Sequence, residues 1–254
     1  MTKIAVMQTN PIFGEVKSNL QTIKKLFPSS ADIVVLPELC TTGYQFKNLD
    51  EVKKYSEDFS DSYSIDFLTG LARENSCVIV AGLSEKSGGK FYNSAVVISE
   101  KGLLETYRKI NLFYRENLFF SAGENESLVV DVGFCKVGVM ICFDWIFPNV
   151  ARELAKKGAD IICHSANLVL PFAQDAMITR SIENRVFTAT ANRIGSENRD
   201  EIDNLTFTGK SQITSHKGER LVSASLDKEE VIFSEIDIKL ARNKKLNEFN
   251  ELLK

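Results

Sequence analysis

The sequence predicts a mixed α/β chain folded as one domain. Three observations carry that prediction: short β-branched runs recur along the chain, helix-periodic segments separate them, and one hairpin signal interrupts the alternation. With 254 residues the chain can bury a sizeable core. Hydrophobic residues at 44% and charged residues at 26% exclude a disordered or low-complexity chain. The 31 basic and 34 acidic residues leave a net charge of −3, with no basic block before the last residues, which argues against a nucleic-acid partner.

Taken in order, residues 3–8 read as the first strand and 16–26 as an amphipathic helix. A second strand at 32–37 ends on Pro37, and a helix at 65–75 leads to a strand at 77–81. Ser87-Gly88-Gly89 reads as a turn. Residues 91–108 hold two strand-like runs, the first at 94–99, around Glu100-Lys101-Gly102, a hairpin that requires a mixed sheet. The strand 134–142 runs into a helix at 148–157, which opens on Pro148, where a missing N–H is harmless. A strand at 160–164 and a helix at 172–184 follow. No linker or internal repeat divides the chain, so 1–254 forms a single domain. Residues 240–254 carry Arg242, Lys244 and Lys245 with too few apolar residues for a core helix, so this extension is expected to pack on a neighbour or fray. No apolar run approaches the roughly 20 residues of a membrane span. The N-terminus enters its first strand without a leader-like segment, so a cytoplasmic location and no membrane partner are expected.

Five cysteines, an odd number without CxxC spacing, suit reduced thiols. Two histidines and no paired Cys/His cluster leave few candidate ligands, so no metal is expected. Cys77, Cys135 and Cys163 read as small core hydrophobes. Cys142 differs: it ends the buried run from Val137 and precedes a turn and a helix. A nucleophile suits that place, because a sharp strand-end turn exposes the sulfur and nearby N–H groups favour a thiolate and an oxyanion. Its bland alternative is another core thiol. His164, at the next strand end, offers a weak dyad partner. Glu38 and Lys109 also follow strands, and strand ends converge on one rim in α/β folds. Desolvation there would raise the pKa of Glu38 towards that of a general base, and Lys109 would stabilise negative charge. A solvated glutamate and a surface lysine are the ordinary alternatives.

Leu36-Pro37-Glu38, Tyr107-Arg108-Lys109-Ile110-Asn111-Leu112-Phe113 and Gly138-Val139-Met140-Ile141-Cys142-Phe143-Asp144, in that order, resemble the active-site motifs of the nitrilase superfamily of carbon-nitrogen hydrolases. The resemblance continues through residues 180–185, 191–195 and 207–211. It implies a four-layer α-β-β-α sandwich of two mixed sheets and a catalytic triad of Cys142 as nucleophile, Glu38 as general base and Lys109 as oxyanion cation. The backbone N–H of Phe143 would be the second oxyanion donor, and Glu116 would position Lys109 and the substrate. It implies no cofactor and a homodimer, with the helix of Arg180 and Glu183 near the interface and the segment from Leu240 reaching across the partner.

The implied reaction is hydrolysis of a small aliphatic nitrile or primary amide through a covalent thioester. Three departures from the family pattern bear on substrate. Asn111 stands where many relatives have histidine, which points to altered substrate fit; Phe143-Asp144 replaces the Trp-Glu of nitrilases proper; and residues 165–171 replace a tryptophan-bearing loop, implying an aliphatic pocket wall with Asn167 as its polar contact. Tyr44 would line the pocket, and Trp145 would support Cys142. The alternatives are an ω-amidase, an N-carbamoyl amidohydrolase using Arg115 or Arg193 to hold a substrate carboxylate, and a catalytically silent scaffold.

Overall fold

The computed structural model describes residues 1–124, 127–199 and 203–253, so Lys254 of the predicted extension lies outside the described residues. The elements are β1 (Thr2–Gln8), α1 (Val16–Leu26), β2 (Ile33–Val35), α2 (Leu49–Tyr55), α3 (Tyr63–Asn75), β3 (Val78–Ser87), β4 (Lys90–Ser99), β5 (Gly102–Arg108), β6 (Leu128–Asp131), β7 (Lys136–Ile141), α4 (Pro148–Lys156), β8 (Ile161–Ser165), α5 (Ala173–Asn184), β9 (Phe187–Ala191), β10 (Ser196–Glu197), β11 (Leu205–Thr206), β12 (Gln212–Thr214), β13 (Arg220–Ser223), β14 (Glu230–Ile236) and α6 (Lys239–Arg242). One six-stranded sheet runs β14-β1-β2-β3-β4-β5 and a second runs β13-β12-β9-β8-β7-β6. Each is mixed: β1-β2-β3 and β7-β8-β9 are parallel, and their outer strands are antiparallel.

Period-two alternation decides the layers. Along β1, Ile4 and Val6 face the second sheet, packing with Val137, Val139, Ile161 and Ala189, whereas Ala5 and Met7 point outward to Leu20 and Ile23 of α1 and Leu68 of α3. On the far side, Val150, Leu154 and Met177 of α4 and α5 cover the second sheet. The arrangement is the expected α-β-β-α sandwich. Burying each such aliphatic side chain contributes about 2 kcal/mol.

The predicted helices hold within two residues of their observed ends. The strand predicted at 32–37 stops at Val35, because Pro37 offers no N–H and Leu39 turns left-handed (φ 48°). The strand predicted at 77–81 instead runs to Ser87, where Gly88 and Gly89 at φ 57° and 77° close a hairpin onto β4. Among the described residues no helix is long and apolar enough to cross a membrane.

The C-terminal segment docks on its own chain. Both carboxylate oxygens of buried Asp160 accept from Arg242, at 2.9 and 3.0 Å, and Lys244 donates to the carbonyls of Asn184 and Arg185 at the end of α5. Leu253 packs against the main core.

Candidate active site

Three strand ends meet at one rim. Glu38 follows β2, Lys109 follows β5 and Cys142 follows β7. Non-glycine residues with positive φ mark each neighbourhood: Leu39 at 48°, Tyr114 at 47° and Cys142 at 38°. Such backbone costs on the order of 1–3 kcal/mol per residue and persists only where the surroundings hold it. At Glu38 the hold comes from β3, where the N–H of Gly82 donates to Pro37 at 3.1 Å and its carbonyl accepts from Cys40 at 2.9 Å. The approach is so close that a Cβ on Gly82 would stand 2.4 Å from the Glu38 Cα, so only glycine fits. At Cys142 the hold comes from Asp144 and His164. Asp144 accepts from the N–H of Ile141 at 3.0 Å, from the Tyr107 hydroxyl at 2.9 Å and from Asn111 at 2.8 Å. His164 Nε2 lies 2.9 Å from the Cys142 carbonyl.

The side chains form a buried, charged cluster. Lys109 Nζ donates to Glu38 Oε1 at 2.7 Å and to Glu116 Oε1 at 2.8 Å, and all three residues are buried. Tyr44 donates its hydroxyl to the same Glu116 oxygen at 2.7 Å, and the N–H of Phe113 donates to Oε2 at 3.2 Å. Asn93, in β4, donates to Glu38 Oε1 at 2.7 Å, leaving Glu38 Oε2 without a protein partner. Burial pushes the Glu38 carboxyl up, against the opposing pull of Lys109. Burial alone would lower the Lys109 ammonium, but Glu116 and Glu38 outweigh it and keep the charge in place. Burial, reinforced by Glu38, drives the Cys142 thiol well above its ordinary value; Lys109 and the backbone N–H of Asn167 only partly offset this.

These directions revise the predicted exposed thiolate. Cys142 is 5% exposed, and burial disfavours its thiolate, which would add a second uncompensated negative charge to a site holding two carboxylates and one lysine. His164 is no dyad partner: burial lowers it to about 4, so it is neutral and fixes the backbone of Cys142. Asn111 donates to Asp144 and thereby braces the strand-end turn. Arg193 is buried among Glu197, Asn10 and the carbonyls of Pro11 and Ile194, with its guanidinium 4.1 Å from the Phe207 ring centre, so four of its five N–H donors are spent within the chain. Glu197 in turn accepts from the N–H groups of Tyr44 and Gln45, so the pair anchors the Tyr44 loop.

Phe143 sits in the first turn of a short 3₁₀ segment (Cys142–Ile146), where an N–H has no intrahelical acceptor, and its ring packs 5.0 Å from Phe113. Trp145 is buried against Phe172, 5.7 Å away. Asn167 is buried beside Cys142 with neither side-chain polar atom bonded. Asn93 was missed from sequence, although an asparagine within the apolar run of β4 is itself a signal.

Beside the cluster lies a cavity lined by Tyr44, Phe46, Phe113, Phe119 and Phe120, with Arg115, Glu116, Asp203 and Leu205 at its polar side. The 114–120 turn and the 44–46 loop supply its largely aromatic wall. Arg115 pairs with Asp203 at 3.5 Å.

The carbon-nitrogen hydrolase family profile matches residues 3–245. The chain is 47% identical to a nitrilase of Pyrococcus abyssi, over 100% of this chain and 97% of that protein. It is 31% identical to a 2-oxoglutaramate amidase of Bacillus subtilis, over 92% and 90% of the two. The crystal structure of a carbon-nitrogen hydrolase from Helicobacter pylori G27 superposes with a TM-score of 0.84 at 26% identity, covering 95% of this chain and 90% of that one.

Proposed function

From the premise that the chain belongs to the carbon-nitrogen hydrolase family of the nitrilase superfamily, we propose that it hydrolyses a small aliphatic nitrile or primary amide through a covalent bond to Cys142. The observation that carries this reading is Lys109 bridging Glu38 and Glu116 beside a thiol held on a left-handed turn. Glu38 takes the thiol proton as sulfur attacks the substrate carbon, so the buried site never holds a free thiolate. Negative charge then develops on the substrate oxygen or nitrogen, facing the Lys109 ammonium and the N–H of Phe143.

For an amide, Glu38 returns its proton to the departing ammonia, leaving a thioester. Glu38 then deprotonates a water that attacks the thioester, and the acid leaves as sulfur regains the proton. For a nitrile, attack gives a thioimidate, and a first water adds before ammonia departs to form the same thioester. Glu116 holds Lys109 in place, Tyr44 holds Glu116, and Asn167 offers a substrate contact.

The experiment is ammonia release by the wild type and by Cys142→Ala across aliphatic nitriles, primary amides, dicarboxylate monoamides and carbamoyl amines. Release by wild type alone from a nitrile or primary amide supports the reading, and equal release by the variant removes it. A second reading, an ω-amidase acting on a dicarboxylate monoamide, draws on Arg115 as the cation lining the cavity. The five free thiols suit a cytoplasmic setting. A homodimer is our reading of the exposed apolar residues Ile146, Phe147, Phe172 and Ile182, which lie on or beside α4 and α5.

A further inference from the structure

Asn93 serves both members of the base and lysine pair. Its backbone carbonyl accepts from the N–H of Lys109 at 2.8 Å, and its Nδ2 donates to Glu38 Oε1 at 2.7 Å. Its Oδ1 has no hydrogen-bond partner among the described residues, although the residue is fully buried. The reverse amide orientation would set that oxygen against a carboxylate, acceptor to acceptor, so Oδ1 must be the atom left over. Asn93 shares its face of β4 with Ala95 and Val97, which pack between the sheets with Val137 and Val139 of β7, the strand that ends at Cys142. An amide oxygen buried there without a partner destabilises the fold, and its retention calls for an explanation.

Glu38 is divided in the same way. Lys109 and Asn93 both donate to Oε1, whereas Oε2 is buried with no partner among the described residues. The proton moved in the reaction therefore belongs on Oε2, since Oε1 already faces two donors. Two side chains joined by one hydrogen bond thus each keep one unspent acceptor. A primary amide supplies two N–H donors on a single nitrogen, and that nitrogen is the one expelled.

We propose that Asn93 is a substrate-binding residue: its Oδ1 accepts one N–H of the substrate's amide nitrogen beside Glu38 Oε2, and so reads the NH2 group that will leave. The inference rests on the proposed hydrolase reading and deepens it by assigning a site to the leaving group. As the tetrahedral intermediate collapses, the oxyanion's electron pair re-forms the carbonyl. The carbon-nitrogen bond breaks with its pair on nitrogen, and that pair takes the proton from Oε2. Ammonia departs with one of its three N–H groups on Oδ1, and Glu38 is left a carboxylate.

Binding tests the contact without turnover. Dissociation constants are measured by calorimetry on Cys142→Ala for pentanamide and for butyl methyl ketone, which has the same shape with a methyl in place of NH2. Pentanamide should bind at least tenfold tighter, because a site built for an N–H rejects the analogue that lacks it. Adding Asn93→Leu or Asn93→Ala should shift the ratio at least tenfold towards the ketone. Asn93→Asp keeps an acceptor oxygen in place and can share one proton with Glu38, so it should hold the ratio within about threefold. Equal binding of the two probes by Cys142→Ala, or no detectable binding of pentanamide, overturns the proposal. So does an unchanged ratio or a loss of both probes together in Asn93→Leu and Asn93→Ala, or a ratio in Asn93→Asp as low as in Asn93→Leu. Ammonia release from pentanamide and pentanenitrile by the wild type tests the catalytic reading alone, whichever way the binding ratio falls.

Discussion

Lys109 is tied to two carboxylates at once, and its removal leaves both buried without a counter-charge. We expect Lys109→Ala and Cys142→Ala each to reduce kcat/KM by about a thousandfold or more, with the far-UV spectrum retained; near-normal turnover by either would detach that residue from the chemistry. Glu116→Gln keeps the shape and one acceptor, so a loss of roughly ten- to a hundredfold is expected. Asn93 donates to Glu38 and holds its carboxyl down against burial. In Asn93→Ala the acid limb of the kcat/KM profile should therefore move to higher pH, and an unmoved limb would mean that Glu38 does not govern it. Glu38, Lys109 and Cys142 were singled out in the sequence because each follows a strand and lies in a motif resembling those of the nitrilase superfamily; strand-end position alone left a core thiol, a solvated glutamate and a surface lysine as the ordinary readings. Asn93 and the Arg115–Asp203 pair were not, because their meaning lies in contacts across the fold, 55 and 88 positions away in sequence.

At the scale of elements, the turns after β2 and β7 are the strained parts, and each has an identifiable support. Gly82→Ala would drive a methyl into the Glu38 backbone, with an expected loss of about 1–3 kcal/mol in denaturant unfolding together with a fall in kcat. His164 supplies a pH signature. Its folded-state value is lowered to about 4 from 6.5, so the unfolded chain binds the extra proton first as pH falls. Stability should therefore be complete above pH 6.5 and decline towards pH 4, by up to roughly 3 kcal/mol. Replacing His164 by Gln should flatten that slope, and an unchanged slope would assign it to other groups. The early elements were readable because β-branched runs and helical periodicity dominate there. The strands after residue 184 were not, since Thr188, Thr190 and Gln212 are buried polar residues that break the apolar pattern, and β14 finds its partner β1 more than two hundred residues away.

At the scale of the molecule, the four-layer order followed from family motifs and not from periodicity, which identifies faces but not which sheet meets which. If the α4 and α5 face pairs two copies, light scattering should give twice the 28.4 kDa chain mass, and charged replacements at Phe147 and Ile182 should halve it. Glu38 and Lys109 follow strands of the first sheet and Cys142 a strand of the second, so the proposed active centre exists only where two separately hydrogen-bonded layers are in alignment. Sliding one layer by a single residue, about 3.4 Å, would leave every ladder bond intact and part the sulfur from its proposed base, Glu38. Turnover is thus a vernier for the alignment of the two sheets. In a urea titration it should fade before the β-sheet signal does, reporting a slip that spectroscopy of either sheet alone would miss.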